Sequence, residues 1–108
     1  MIVTGSSGSR GIPHTVLNLL VSVLDFGLPV QEAVEAGRFT QEWFPDSIQW
    51  ERADFHPETV EALKRMGHAI VPPSPFPFQG DAHTISVEGS GAFVGVADHR
   101  ISGKSSGH

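Results

Sequence analysis

Between Pro13 and Gly27 runs an apolar block whose polar residues, His14, Asn18, Ser22 and Asp25, recur at spacings of 4, 4 and 3. That spacing makes one narrow polar stripe, and it predicts a helix from Pro13 to Phe26 that is apolar over most of its circumference. Such a helix has to be largely buried, so the chain must supply layers to cover it. Pro13 suits a first helical turn, where its missing N–H costs nothing, and Gly27 is the expected stop. The block is too short and too polar to span a bilayer.

The rest of the chain divides at its prolines and glycines. Residues 29–36 read as a second short helix ended by Gly37, and Ile48-Gln49-Trp50-Glu51 alternates like a half-buried strand. Pro57 opens a third helix with Glu58 and Glu61 near its positive end, apolar Val60, Leu63 and Met66 on one side, and Gly67 as its close. His68 to Val71 is expected to be a strand. The proline-rich run from Pro72 to Pro77 reads as an extended crossing. Ala82–Val87 and Ala92–Ala97, joined by Glu88-Gly89-Ser90-Gly91, predict a closing hairpin. These elements imply an α+β fold, with helices packed on a mostly antiparallel sheet. The whole is one segment, 1–108, made of a loop (1–12), a core (13–101) and a glycine- and serine-rich tail (102–108).

With 12 acidic and 7 basic residues and a net charge of −5, the surface offers nucleic acid little, and no such partner is expected. The chain has no cysteine, which excludes disulfides, thiol catalysis and cysteine metal sites. Met1-Ile2-Val3 has neither the charged start nor the apolar core of a signal peptide.

The chemistry is concentrated in Gly5-Ser6-Ser7-Gly8-Ser9-Arg10-Gly11, directly ahead of the apolar helix. Small residues leave backbone N–H groups uncovered, and a helix start adds more of them with positive partial charge. Three readings compete: a flexible leader, a phosphate loop, and an oxyanion hole of successive N–H groups. A phosphate loop fails, because Gly-Lys-Ser/Thr is absent and no strand of useful length is read ahead of Gly5.

The order of the motifs beyond the loop decides between the other two. After the loop and helix come Leu28-Pro29-Val30-Gln31-Glu32-Ala33-Val34-Glu35-Ala36, Arg38-Phe39, Trp43-Phe44-Pro45-Asp46, the helix at Pro57, Gly67-His68, and a hairpin ending Gly95-Val96-Ala97-Asp98-His99-Arg100. This succession resembles the C-terminal part of the small subunit of γ-glutamyltranspeptidases, also called glutathione hydrolases, over nearly the whole chain. The resemblance implies part of an αββα N-terminal-nucleophile hydrolase sandwich. It implies γ-glutamyl transfer from glutathione-like amides to a threonine exposed by self-cleavage, then to water or an acceptor amine, with no metal or organic cofactor.

By position in that family's Gly-Ser-Pro-Gly-Gly loop, Gly8 and Ser9 stand where two glycines give their N–H groups to the oxyanion. Ser9 replaces the second glycine, Ser7 the proline, Gly37 the proline of Ala-Pro-Arg-Phe, and His99 that of Ser-Asp-Pro-Arg. A serine keeps the N–H but resists the positive φ that glycine accepts freely. The family's catalytic threonine, its second threonine and the serines that hold the substrate α-carboxylate lie upstream of this loop, and the arginine clamp lies in the other subunit. None has a counterpart here, so the expected partners are a γ-glutamyl peptide and the missing N-terminal part or large subunit. Alone, the chain is expected to be silent. Family members are often periplasmic, secreted or at the cell surface.

Other candidates have plainer readings. Thr4 lies next to the loop, not at a nucleophile position, and reads as a strand-end residue. The histidines His14, His56, His68, His83, His99 and His108 show no ligand spacing on one helix, so no metal is expected. Asp98 and Arg100 form a local pair at a strand end. Trp43 and Trp50 with Phe39 and Phe44 read as core, and Glu32 and Glu35 as a solvated helix face. The competing reading of the whole is a non-catalytic truncated remnant, or a small interaction module on the same scaffold.

Overall fold

The computed structural model describes residues 1–51, 55–71 and 80–107. The proline-rich run at 72–77 and His108 lie outside them. The elements are β1 (Ile2–Ser7), α1 (Gly11–Leu24), α2 (Val30–Glu35), β2 (Phe39–Glu42), β3 (Ser47–Trp50), α3 (Pro57–Arg65), β4 (Asp81–Val87) and β5 (Phe93–Val96).

The main sheet has the order β1-β4-β5, all antiparallel. β1 lies along β4 with Thr4 opposite Thr84 and Ser7 opposite Asp81, and the two threonine hydroxyls are 2.8 Å apart. α1 and α2 cover one face of this sheet. Leu19, Val30, Ala33 and Val34 pack there on Ala82 and Val96, with Ile2, Leu20, Val23, Leu28 and Val94 around them. Apolar surface removed from water at about 25 cal/mol per Å² holds the two layers together. The opposite face carries Val3, Ile85 and Phe93, all exposed. β2 and β3 form a separate two-stranded ribbon beside α1.

The helices follow their punctuation. Pro29 and His56 precede α2 and α3, Pro57 is the first residue of α3, and Gly27 and Gly67 have positive φ just beyond α1 and α3. The closing hairpin is present from Asp81 to Val96. Four expectations need correction. First, residues 1–12 are not a loop: Ile2–Ser7 is a strand, because pairing with β4 outweighs the poor strand preference of Gly5 and Ser6. That also removes the flexible leader as a reading. Second, His68 to Val71 contributes a single parallel bridge, Ile48 to Ile70, and not a strand.

Third, α1 is buried only at Thr15 and Leu19, while Leu17, Leu24 and nearby Phe26 are exposed. The first half of its polar stripe, His14 and Asn18, faces protein, while Asp25 is exposed. Asn18 Nδ2 donates to Phe39 O at 3.0 Å, and His14 Nε2 stands 3.1 Å from Gln41 O, so these two residues serve the carbonyls of β2. Fourth, the aromatics of the ribbon are not core: Trp43 is 94% and Phe44 88% exposed, and Phe39 is half exposed. Trp50 is held, edge-on to Phe55 with its indole N–H donating to Val71 O, and Phe39 meets the same Phe55 ring edge-on at 6.0 Å.

Candidate oxyanion turn and its supports

β1 leaves the sheet at Ser7, and the backbone turns through Gly8 (φ 114°) and Ser9 (φ 54°) into α1. Gly11 N–H donates to Gly8 O and Ile12 N–H to Ser9 O, so both carbonyls are taken up by the helix start. The N–H groups of Gly8 and Ser9 themselves donate to nothing among the described residues, and both residues are exposed. Two adjacent free N–H groups just ahead of a fourteen-residue helix are donors of the kind that can stabilise developing negative charge. Ser9 is the one non-glycine residue with positive φ among those described, a conformation costing a residue with a Cβ about 1–2 kcal/mol.

The turn rests on the start of β4. A Cβ on Gly8 would stand 3.1 Å from Gly80 Cα. Gly80 is buried with φ 71°, and a Cβ there would come within 2.5 Å of Thr15 Oγ1 and 2.8 Å of Ser6 Oγ. Beside it, Asp81 accepts from Ser7 N–H at 3.2 Å and also from the Ser7 hydroxyl.

Behind Gly80 lies a buried charge cluster. Arg38 donates to Gly80 O (3.1 Å), Val34 O (3.0 Å) and Asp98 Oδ2 (2.7 Å). Asp98 also accepts from Ala82 N–H at 2.6 Å and from Arg100 N–H at 3.0 Å. Arg100 reaches Glu51 Oε1 at 2.8 Å and the carbonyls of Val34 and Ala36 at 2.9 Å. Two guanidinium and two carboxylate groups thus tie the α2–β2 connection, the end of β3 and the start of β4 into one unit. Burial alone would raise the Asp98 carboxyl, but hydrogen bonds from Ala82, Arg100 and Arg38 outweigh it and hold it below the usual range. Burial lowers Arg38, against its bond to Asp98. Burial would also lower Arg100, but Glu51 and then Asp98 raise it.

The pair Asp98–Arg100, read as local, is therefore half of a larger network, and it lies beyond β5 and not on a strand. The sequence marked Arg38 only within a motif and left Glu51, Gly80 and Asp81 unassigned. The remaining candidates are scattered. Thr4 lies within β1, bonded to Thr84. Glu32 and Glu35 are exposed on α2. No group of three metal-ligating side chains occurs among the described residues, and no helix among them is long and apolar enough to cross a membrane.

The sequence profile of the Gamma-glutamyltranspeptidase family matches residues 1–108. The chain belongs to the γ-glutamyltranspeptidase family. It is similar to the glutathione hydrolase proenzyme of Escherichia coli (strain K12), 35% identical over 99 residues that cover 92% of this chain and 16% of that protein. Against the glutathione hydrolase-like YwrD proenzyme of Bacillus subtilis (strain 168), identity is 29% over 111 residues, covering 98% and 21%. Among solved structures, the γ-glutamyltranspeptidase of Pseudomonas nitroreducens complexed with L-DON superposes with a TM-score of 0.87 at 28% identity, covering 99% of this chain and 55% of that one. An acivicin-inhibited γ-glutamyltranspeptidase gives 0.82 at 36%, covering 92% and 53%. The chain thus spans about a sixth of the curated E. coli relative and about half of the solved chains. Its fold class is that of these neighbours: an α+β part of an αββα N-terminal-nucleophile hydrolase sandwich.

Proposed function

We propose that this segment supplies the oxyanion-binding turn of a γ-glutamyl hydrolase and transferase acting on glutathione-like amides. The observation that carries the reading is the pair of unengaged N–H groups of Gly8 and Ser9 where β1 passes into α1. The nucleophilic threonine and the groups that hold the γ-glutamyl α-carboxylate come from the part of the enzyme that this chain does not span. When that nucleophile attacks the γ-carbonyl, negative charge grows on its oxygen, and two fixed donors stabilise it without reorganising. One such donor is worth about 10²–10³ in rate. The exposed sheet face of Val3, Ile85 and Phe93 suits coverage by the second sheet of the sandwich, supplied by the same missing part.

The test combines this chain with a complementary N-terminal part carrying the nucleophile and measures hydrolysis of a γ-glutamyl anilide. Ser9→Gly relieves the strain at φ 54° while keeping the N–H. Activity should rise several-fold, since 1 kcal/mol corresponds to about a fivefold change. Unchanged activity would count against the oxyanion role and favour the competing reading, a remnant that kept the scaffold and lost the chemistry.

A further inference from the structure

Asp81 is almost wholly buried, at 3% exposure, as the first residue of β4. A carboxylate in such a place is costly unless its oxygens are used. Oδ1 accepts two hydrogen bonds from one residue, the N–H and the hydroxyl of Ser7, while Oδ2 stands 3.2 Å from His83 Nε2. Ser7 is the last residue of β1, directly before the Gly8–Ser9 turn, and Gly8 lies against Gly80, the residue just before Asp81. The dipeptide Gly80-Asp81 therefore grips the turn at its base. Ser7 occupies the position where the resembled loop carries proline. A proline ring fixes φ near −65° and has no N–H to satisfy, whereas a serine is free to move unless something holds it.

We propose that Asp81 is a positioning residue for the two oxyanion donors. By accepting both hydrogen bonds from Ser7 it restrains the entry to the turn, in place of the ring constraint that proline would give. The proposal rests on reading Gly8 and Ser9 as those donors. Charge-assisted bonds are roughly twice as strong as neutral ones, and two of them from one residue leave Ser7 little freedom.

A double-mutant cycle in the assembled enzyme tests this, with Asp81→Ala, Ser7→Pro and the two combined. Asp81→Ala should lower kcat about tenfold with KM within twofold, and Asp81→Asn should recover part of the loss. In the Ser7→Pro background the same change should cost less than twofold, and Ser7→Pro alone should keep at least half of kcat. Equal losses in both backgrounds, a loss confined to KM, no loss, or an inactive Ser7→Pro would each overturn the proposal. Should Asp81→Ala fail to fold, Ser7→Ala deletes only an exposed residue's hydroxyl; a kcat reduced about threefold supports the proposal and an unchanged one overturns it. Affinity for an analogue with a tetrahedral boronate in place of the γ-carbonyl separates the two levels. If the oxyanion reading fails, that affinity ignores Ser9→Gly. If only the role of Asp81 fails, Ser9→Gly still moves it and Asp81→Ala does not.

Discussion

Gly80 and Gly27 have nearly the same backbone, φ 71° and φ 67°, but opposite surroundings. A Cβ on Gly27 would meet nothing within 4 Å, whereas one on Gly80 would meet Thr15 Oγ1 at 2.5 Å, Ser6 Oγ at 2.8 Å and Ser7 O at 2.9 Å. The substitution Gly27→Ala therefore reads the left-handed backbone alone, a cost of about 1 kcal/mol. Gly80→Ala adds overpacking against a backbone oxygen and two side chains, a further ~1–3 kcal/mol, for a total near 2–4 kcal/mol. Thr15 is buried at 1% exposure and cannot swing away, and Ser7 O belongs to a paired strand. Urea unfolding of the two variants against the parent, at matched m-values, measures the difference directly. Gly80→Ala should also lower kcat, because the displaced atoms carry the residues leading into the turn. Equal unfolding costs at the two positions would refute the claim that the start of β4 is seated against β1 and α1 without spare room.

The core and the charge cluster give two further expected outcomes. Leu19→Ala, at a wholly buried position between α1 and the sheet, should cost about 2–5 kcal/mol by thermal or urea unfolding. Asp98 has its folded-state pKa below the ordinary 3.8, so the native state binds fewer protons than the unfolded one at acid pH. Its contribution is fully present above that ordinary value and is lost as pH falls through the folded one. Asp98→Asn should flatten the acid limb of the stability profile and cost about 3–5 kcal/mol near neutrality, since it leaves the Arg38 and Arg100 charges under-compensated.

Helices and hairpin were legible because their ends are written locally: Pro57 and Gly67 bound α3, and Gly27 stands just past α1. β1 was not, since nothing in Gly5-Ser6-Ser7 favours a strand and its partner lies far along the chain. The polar stripe of α1 is legible from its spacing, but the burial expected of the apolar remainder is not met at Leu17 and Leu24, and the carbonyls of β2 that Asn18 and His14 meet are not revealed by periodicity. Gly8 and Ser9 were accessible only through the order of motifs. Their supports were not, because Arg38 meets Asp98 across 60 positions and Arg100 meets Glu51 across 49.

The pairing of Ser7 with Asp81 also sets a timetable. The two residues are 74 positions apart, which at 5–20 residues per second is roughly 4–15 s of synthesis. For that interval the nascent turn at Gly8 and Ser9 has neither its neighbouring strand nor the carboxylate that accepts from Ser7. A premature stop anywhere ahead of β4 would therefore remove the supports of a turn near the opposite end of the segment. The turn is encoded early and built late.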